Sequence, residues 1–141
     1  MELFLIAQIA GRGVAIATTQ IDSVVDIAEV VAVPRAEAAV RGLVALRSRV
    51  VTVIDTGTAL HLDPTPADAR RAVITRVDGH HYAILVDSLD DVAPFDRQPL
   101  SSGLALDRGW ADVGVGLVER DGEPLLVIDL TALVPQQALA A

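Results

Sequence analysis

The residue best placed for chemistry in this chain is an aspartate at the end of an apolar strand. Asp55, followed by Thr56 and Gly57, ends the apolar run Val50–Ile54. An aspartate in this position can serve acid–base catalysis when a second carboxylate shares its proton, because one group then acts as base and the other as acid. The second Val-Ile-Asp of the chain, Val127–Asp129, continues with Leu-Thr-Ala and has no glycine. The chain therefore supplies one copy of the string and lacks the second.

This string is similar to the active-site loop of aspartic proteases, and two interpretations of it stay open. A retropepsin-like subunit would supply one copy, with Asp55, and dimerise to complete the catalytic pair. The alternative is structural, with Asp55 ending a strand and capping the helical turn that follows it. A match of this length is a hypothesis until its structural context is known.

The other candidates for chemistry do not assemble into a site. The adjacent His80 and His81 flank a predicted turn, so their side chains are expected on opposite faces of a strand. The acidic cluster at Asp87–Asp91 lacks the calcium-loop pattern and its closing glutamate. Trp110 is either an interface anchor or part of the core. With no phosphate loop, dinucleotide fingerprint or Ser-His-Asp order, the sequence predicts no catalytic residue, metal or cofactor, and favours a binding module.

Composition narrows the class of partner. The 141 residues are 52% hydrophobic but only 3% aromatic, which predicts one domain, or two small subdomains sharing a core, packed from Val, Leu, Ile and Ala. The net charge of −8 argues against nucleic acid as a partner, because binding to phosphates needs clustered cations.

Cysteine is absent from the sequence, which removes disulfides and thiolate zinc sites. The first residues lack a basic signal-peptide region, and no apolar run approaches the roughly 20 residues of a membrane span, so we expect a cytoplasmic protein without direct membrane insertion.

The chain is organised around a hairpin predicted within Val40–Leu60. Two short apolar runs, Leu43–Leu46 and Val50–Ile54, flank the polar break Arg47-Ser48-Arg49, a pattern typical of two strands and a turn. Periodicity and turn residues predict the other strands at Glu2–Ile9, Val14–Thr18, Val24–Val33, Arg71–Val77, His81–Val86, Val92–Phe95, Asp112–Val118 and Pro124–Ile128.

Three further segments connect or follow these strands. Asp63–Asp68, with two prolines, is predicted as a linker. Arg97–Gly109 has no clear period and is predicted as a long loop. Asp129–Leu139 is predicted as a terminal helix, interrupted or bent at Pro135.

An internal repeat predicts the fold class. Gly11–Val24 is similar to Gly79–Val92, 68 residues later, with Ala, Ile, Asp and Val aligned; Gly42–Val44 and Val53–Asp55 recur 74 residues later. Each unit holds about five short strands, which close most readily as a small barrel. The prediction is an all-β fold with short helices: two five-stranded SH3-like β-barrels in tandem, approximately 1–67 and 68–141, sharing an apolar core, the second ending in the C-terminal helix.

The same stretches resemble the CheW family, the adaptor domain of bacterial chemotaxis. The family pattern V-R-G-V-x-N-L-R-G-x-x-x-P-V-I-D-L is similar to V-R-G-L-V-A-L-R-S-R-V-V-T-V-I-D-T at Val40–Thr56. Upstream, Val24–Ile27 resembles the family's V-x-E-I, and Pro34 the proline that precedes the central pattern. Downstream, Ala83–Asp87 and Leu126–Asp129 are similar to the family's later strands. The resemblance covers essentially the whole chain, in order.

The resemblance implies a non-enzymatic adaptor between the cytoplasmic tip of methyl-accepting chemoreceptors and the CheW-like regulatory domain of a CheA-type histidine kinase. The partner-binding residues that it implies are Ile21, Val24, Ile27, Gly42, Leu43, Leu46 and Arg47. The first three would wall an apolar receptor groove between the barrels, the next two would lie near the kinase, and the last two at the hairpin tip. The alternative for the apolar members is ordinary barrel core, and an exposed arginine in a turn needs no partner.

Departures from the family pattern leave the partner open. Ser48 stands where the family has glycine, Thr52 where it has proline, Asp26 where it has glutamate and Ala45 where it has asparagine. Serine is poorly suited to a positive φ, so Ser48 is expected to affect the tip turn. A divergent CheW-like adaptor of another signalling kinase, or a structural domain detached from a larger kinase, are the alternatives.

Overall fold

Runs of Val, Leu, Ile and Ala form strands through most of the described chain, which comprises residues 1–100 and 106–135 of a computed structural model. The strands are β1 (Glu2–Ile9), β2 (Arg12–Ala17), β3 (Ser23–Asp26), β4 (Val40–Leu46), β5 (Arg49–Ile54), β6 (Arg71–Val77), β7 (His80–Leu85), β8 (Ser88–Phe95), β9 (Gly114–Arg120) and β10 (Glu123–Ile128). The helices α1 (Thr56–Ala59) and α2 (Arg108–Val113) are short, as are the 3₁₀ turns at Thr18–Gln20 and Leu130–Leu133.

The ten strands form two five-stranded sheets that are interleaved along the chain. The first sheet has the order β8-β1-β2-β10-β9 and the second β3-β6-β7-β5-β4. Each sheet therefore combines the first hairpin of one sequence repeat with the last three strands of the other. Parallel pairing joins the repeats, β2 with β10 and β5 with β7. The boundary predicted near residue 67 separates the two repeats, but each of the segments 1–67 and 68–141 contributes strands to both sheets.

Each sheet closes into a barrel through one bridge beyond its edge strand. Val31, past the end of β3, pairs with Leu43 in β4, and Gln98, past β8, pairs with Leu117 in β9. Glycines at positions 116 and 42 let the two bridging segments come this close. A Cβ atom on Gly116 would lie 2.9 Å from the carbonyl oxygen of Gln98, and a Cβ atom on Gly42 would overlap the carbonyl oxygen of Val31. The predicted fold class, two five-stranded β-barrels, is confirmed. We call them the first and second barrel, after the two sheets.

Most strands are buried on both faces because the barrels pack against each other. In β1, Phe4 and Ile6 point into the first barrel, whereas Leu5 and Ile9 belong to a larger cluster that contains residues of both sheets. The second barrel has its own interior cluster, which includes Val51 in β5. Because successive strand residues face opposite sides, each strand can supply a barrel interior and the shared core at once.

Some predicted element bounds differ from the structure. The strand expected over Val24–Val33 ends at Asp26; Ile27 still faces the second barrel, as Val25 does, and the chain then runs on to the closing bridge at Val31. The loop expected over Arg97–Gly109 ends in α2, whose Gly109 and Trp110 are buried, so β9 begins only at Gly114. Of the predicted terminal helix, the described part is one 3₁₀ turn; residues 136–141 and, in the loop, 101–105 lie outside the described chain.

The β4–β5 hairpin has a two-residue turn with an unusual residue in it. Leu46 pairs with Arg49, so the turn is Arg47-Ser48 rather than the expected three residues, and both have positive φ, +49° and +66°. This is the turn geometry that matches strand twist in hairpins, and it favours glycine. The described chain makes three further turns of this kind, each with glycine second: Ala10-Gly11, Asp78-Gly79 and Asp121-Gly122.

We expect Ser48→Gly to raise the free energy of unfolding by roughly 0.5–1 kcal/mol, since relief of the left-handed conformation exceeds the added freedom of the unfolded chain. Urea denaturation measures it. The matched control is Gly122→Ser at the corresponding position of the β9–β10 turn, which should destabilise by a similar amount. A Ser48→Gly variant less stable than the wild type would contradict this account of the turn.

Candidate functional site

Asp55 lies in a buried polar network rather than in a catalytic pair. One of its carboxylate oxygens accepts hydrogen bonds from the backbone N–H groups of Thr58 (3.1 Å) and Thr65 (2.8 Å), and the other accepts from Arg41 Nη2 (2.9 Å). Arg41 also donates to the carbonyl oxygens of Thr65 and Pro66. The side chains of Asp55 and Arg41 are only 10% and 20% exposed. Together they cap α1 and hold the proline-containing linker against it.

The hydrogen bonds around Asp55 favour the ionised form of its carboxyl. Burial raises the pKa of its carboxyl, but the hydrogen bonds from the Thr65 and Thr58 backbones, Arg41 and the Thr65 hydroxyl outweigh burial and leave the pKa below its usual value. A proton-sharing catalytic pair needs one carboxyl with a raised pKa. Asp129, the counterpart of Asp55 in the second repeat, accepts hydrogen bonds from the backbone N–H of Thr131 and the side-chain amide of Gln20 in another capping arrangement. Of the two interpretations of the string, the geometry supports the structural one.

The other residues considered for chemistry have structural surroundings. Trp110 is buried in the shared core, with the Arg12 guanidinium 5.0 Å from its ring centroid, and so is not an interface anchor. Asp87 accepts from Gly11 N, and Asp91 pairs with Arg120. Across residues 1–100 and 106–135, no group of three or more His, Asp or Glu side chains could hold a metal ion. No helix in that part of the chain is long and apolar enough to span a membrane.

An inter-barrel groove is the first candidate binding surface. A cavity walled by Asp26–Ala28, Arg70, Arg71 and Asp87–Leu89 places the end of β3 next to the start of β8, so edge strands of the two barrels meet there. Beside these strands, Ile21 and Leu89 are half-buried and pack against the shared core. The shared core therefore reaches the surface along this line of contact.

Two exposed valines extend the apolar face of the groove. Val24 is paired across β3–β6 with Val73, and Val92 across β1–β8 with Leu5. Both partners belong to the shared core, and directly paired residues point to the same face of a sheet. Val24 and Val92 therefore continue the shared-core face outward, where they remain 40% and 54% exposed. We define the inter-barrel groove by Ile21, Val24, Leu89 and Val92.

Of the three residues predicted to wall the groove, Ile21 and Val24 lie on the surface defined here, and Leu89 and Val92 are additional members of it. Ile27 is only 3% exposed and lies inside the second barrel, so its side chain is not available to a partner in this conformation. Leu89 and Val92 were missed, although the repeat carried the signal, since they lie 68 residues after Ile21 and Val24. A repeat implies that a surface formed by one unit has a counterpart in the other.

The second candidate surface is the outside of the second barrel. The register pairs Ala45 with Val50 and Val31 with Leu43, while Val44 between them points inward, so these four apolar residues share the outer face. Val31 and Val50 are among the most exposed apolar side chains of the described chain. We define the outer strand face as Val31, Leu43, Ala45 and Val50.

The predicted residues of the central hairpin fall in different places around this face. Leu43 lies on it, whereas Gly42 is buried beneath the closing segment and can contact a partner only after that segment moves. Leu46 is half-buried at the open end of the second barrel, and Arg47 stands exposed at the tip beside it. The structure thus places Leu46 and Arg47 at a cleft that Asp22, Ser23 and Val25 also line, next in sequence to the groove residues Ile21 and Val24, whereas Leu43 lies on the outer strand face.

Comparison with known proteins gives both a family and a fold. The family model described as CheW-like domain matches residues 3–138. The crystal structure of the scaffolding protein TtCheW from Thermoanaerobacter tengcongensis is similar in fold, with a TM-score of 0.79 and 18% sequence identity over 94% of this chain and 91% of that one. Among curated protein sequences, none matches significantly.

Proposed function

Since this chain belongs to the CheW-like domain family, we propose that it is a non-enzymatic scaffold in the cytoplasm that joins a CheA-type histidine kinase to the cytoplasmic tip of a methyl-accepting chemoreceptor. The observation that carries this proposal is the presence of two separate exposed apolar surfaces, the inter-barrel groove and the outer strand face. A protein that binds two partners at once needs two such surfaces.

The receptor tip would occupy the inter-barrel groove. Chemoreceptor tips are helical hairpins, as the family resemblance implies, and an apolar groove between packed elements suits the apolar stripe of a helix. Val24 and Val92 would contact that stripe from opposite barrels, and the half-buried Ile21 and Leu89 would join the groove to the shared core. The end of the groove carries both signs of charge, Asp26 and Asp87 beside Arg70 and Arg71, and Asp26 pairs with Arg71, so this rim would influence the orientation of a partner without selecting one sign of charge.

The kinase would contact the outer strand face and the tip. Leu43, Ala45, Val31 and Val50 offer an apolar, sheet-like patch, and Arg47 adds a charge at its end. Aliphatic side chains at the centre of such a patch would supply most of the affinity, while a charge at the rim would govern orientation and association rate.

The mechanism would rest on affinity alone. A scaffold that holds receptor and kinase together transmits a change in receptor state as a change in the free energy of kinase binding or activation, and the coupling is reciprocal for binding. The rigid, interleaved packing of the barrels would keep the two surfaces at a fixed separation.

We expect Arg47→Glu to weaken recovery of the kinase or receptor by about tenfold, equivalent to about 1.4 kcal/mol, with little change in melting temperature because the side chain is exposed. A pull-down from soluble and membrane fractions of the source cell measures it. Arg108→Glu is the matched control, an exposed arginine on α2 outside both surfaces. Equal loss in the two variants would remove Arg47 from the proposed site.

The residues around the tip also favour a second candidate, an adaptor of another signalling kinase. Ser48 and Thr52 depart from the family pattern next to Arg47, in the region proposed for the kinase. The same pull-down distinguishes the two candidates, because recovery of a kinase outside the chemotaxis class would keep the scaffold function and change the pathway.

A further inference from the structure

We propose that the open end of the second barrel is a recognition pocket for an acidic side chain, one that a partner protein inserts beside the hairpin tip. The pocket is a cleft of about 380 Å³, at the small end of ligand cavities and therefore suited to one or two side chains. Its lining comprises an apolar floor (Val25, Leu46, Val51 and Ile74) and a polar rim (Asp22, Ser23, Arg47, Arg49 and His81). That the ligand belongs to a kinase or a receptor rests on the proposed function, whereas the chemistry of the pocket is argued from its lining residues alone.

The rim concentrates cations that have no carboxylate partner within the described chain. Arg49 Nη1 lies 2.6 Å from His81 Nε2, and because a guanidinium only donates, the imidazole accepts. Arg76 pairs with His81 across β6–β7, which places it on the same face beside the cleft. Asp22, the one carboxylate on the rim, approaches only His81, at 4.0 Å. Four of the eleven arginines form ion pairs within the described chain (Arg41, Arg71, Arg97 and Arg120), whereas Arg47 and Arg49, which share this cavity, form none.

The first barrel supplies an internal comparison, because the repeat gives each rim residue a counterpart. At its open end, Arg120 and Asp91 form an ion pair at 2.8 Å. The residues at the same positions of the second barrel are Leu46 and Ser23, which cannot form that pair. An arginine–carboxylate ion pair spans one end, whereas among the described residues the corresponding end of the second barrel has no such pair.

The charge of the two ends is also opposite. The counterparts of Arg47 and Arg49 in the first barrel are Asp121 and Glu123, and Gln8 stands in place of Arg76. One fold thus presents an acidic end with an internal ion pair and a basic end without one. A fold requirement common to both barrels does not explain this difference, whereas binding of an anionic group at the second barrel does.

The chemistry of the pocket defines the ligand. Planar guanidinium groups bind carboxylates through paired, charge-assisted hydrogen bonds, so Arg47 and Arg49 favour Asp or Glu. The apolar floor favours an aliphatic neighbour next to that acid, and an uncharged amide would leave the arginines without an anion. The expected ligand is a short acidic–aliphatic segment of a partner protein, such as Leu-Glu.

The test uses the full chain and two dipeptides, acetyl-Leu-Glu-amide and acetyl-Leu-Gln-amide, titrated in nuclear magnetic resonance experiments. We expect the Glu peptide to shift the Nε–Hε signals of Arg47 and Arg49 and the ring signals of His81, with about tenfold higher affinity than the Gln peptide, since one charged partner is lost. Equal shifts with both peptides, or shifts confined to other residues, would overturn the pocket.

Variants separate the pocket from general electrostatic attraction. Arg47→Gln and Arg49→Gln should each abolish the preference for the Glu peptide while the spectrum stays dispersed, and Arg120→Gln, in the first barrel, should preserve it. An unchanged preference in Arg49→Gln contradicts the proposal. Peptide binding without recovery of any kinase or receptor would support the pocket and remove the proposed function. Recovery of a partner without peptide binding would overturn the pocket alone.

Discussion

Asp55→Ala should lower the free energy of unfolding by about 3–5 kcal/mol, because it leaves the Arg41 guanidinium buried without its counter-ion. It also removes the acceptor for the Thr58 and Thr65 backbone N–H groups, so the cap of α1 and the anchor of the linker are lost together. Chemical denaturation at neutral pH measures the effect. The matched control is Asp26→Ala, whose carboxylate pairs with Arg71 at the surface and should contribute no more than about 1 kcal/mol.

The same carboxylate should make stability depend on acidity in a defined direction. Its pKa in the folded chain lies below the ordinary value of 3.8. The contribution of Asp55 is therefore complete above the unfolded pKa and is lost as the pH falls through the lower, folded pKa. Between neutral pH and about pH 3, Asp55→Asn should lose less stability than the wild type, because the amide cannot take up a proton. An equal decline in both proteins would show that other carboxylates govern acid unfolding.

These measurements also decide between the two interpretations of the Asp55-Thr56-Gly57 string. A capping aspartate predicts a stability defect and no change in any peptide cleavage. A retropepsin-like subunit predicts instead that Asp55→Asn abolishes peptide cleavage at acidic pH while leaving the fold nearly as stable. The buried ion pair with Arg41 is the physical reason to expect the first outcome.

The repeat made the strands and the barrels predictable, but not their exchange between the sheets. Periodicity and turn residues act over a few residues, and they located hairpins such as β1–β2 and β4–β5. Which hairpin lies beside which depends on the parallel contacts of β2 with β10 and β5 with β7, between residues far apart in sequence. No local pattern contains that information. The two repeats also offer nearly the same strands, so either arrangement satisfies the pattern.

The candidate surfaces were predictable to the extent that they follow strand alternation. Val24 and Ile27 are an odd number of residues apart, so in an extended strand they face opposite sides, and Ile27 lies in the interior. The family resemblance assigned Ile27 to the groove by its position in the sequence and did not take this alternation into account. Arg47 was predictable as a tip residue, but the cluster that it forms with Arg49 and His81 depends on the approach of β5 to β7.

The two barrels have kept a common framework and diverged at their surfaces. Closing glycines, capping aspartates and hairpin turns occupy corresponding positions, which is what the packing of a small barrel requires. The outer strand face is apolar in the second barrel, but Ala45 and Val50 correspond to Glu119 and Pro124 in the first. At surface positions that differ between the two barrels, the packing of the barrel does not dictate the residue, so these positions are free to suit a partner.

Under the proposed function, Val24→Glu and Val92→Glu are each expected to reduce receptor binding by at least about 30-fold, or about 2 kcal/mol, because a charge would replace an exposed apolar side chain of the inter-barrel groove. Each should leave the free energy of unfolding within about 0.5 kcal/mol of the wild type, since both side chains are exposed. Co-sedimentation with receptor-containing membranes and recovery of the soluble kinase are measured for the same variants.

Val50→Glu is the matched control, another exposed valine on a strand but on the outer strand face. It should reduce kinase recovery and preserve co-sedimentation with receptor, the reverse of the groove variants. If all three variants lost both partners, one continuous surface would serve both and the two-surface scaffold would be wrong. If Val24→Glu acted and Val92→Glu did not, the receptor would contact a single barrel. Equal effects at both valines would mean that the partner is held by both sequence repeats, one edge strand from each.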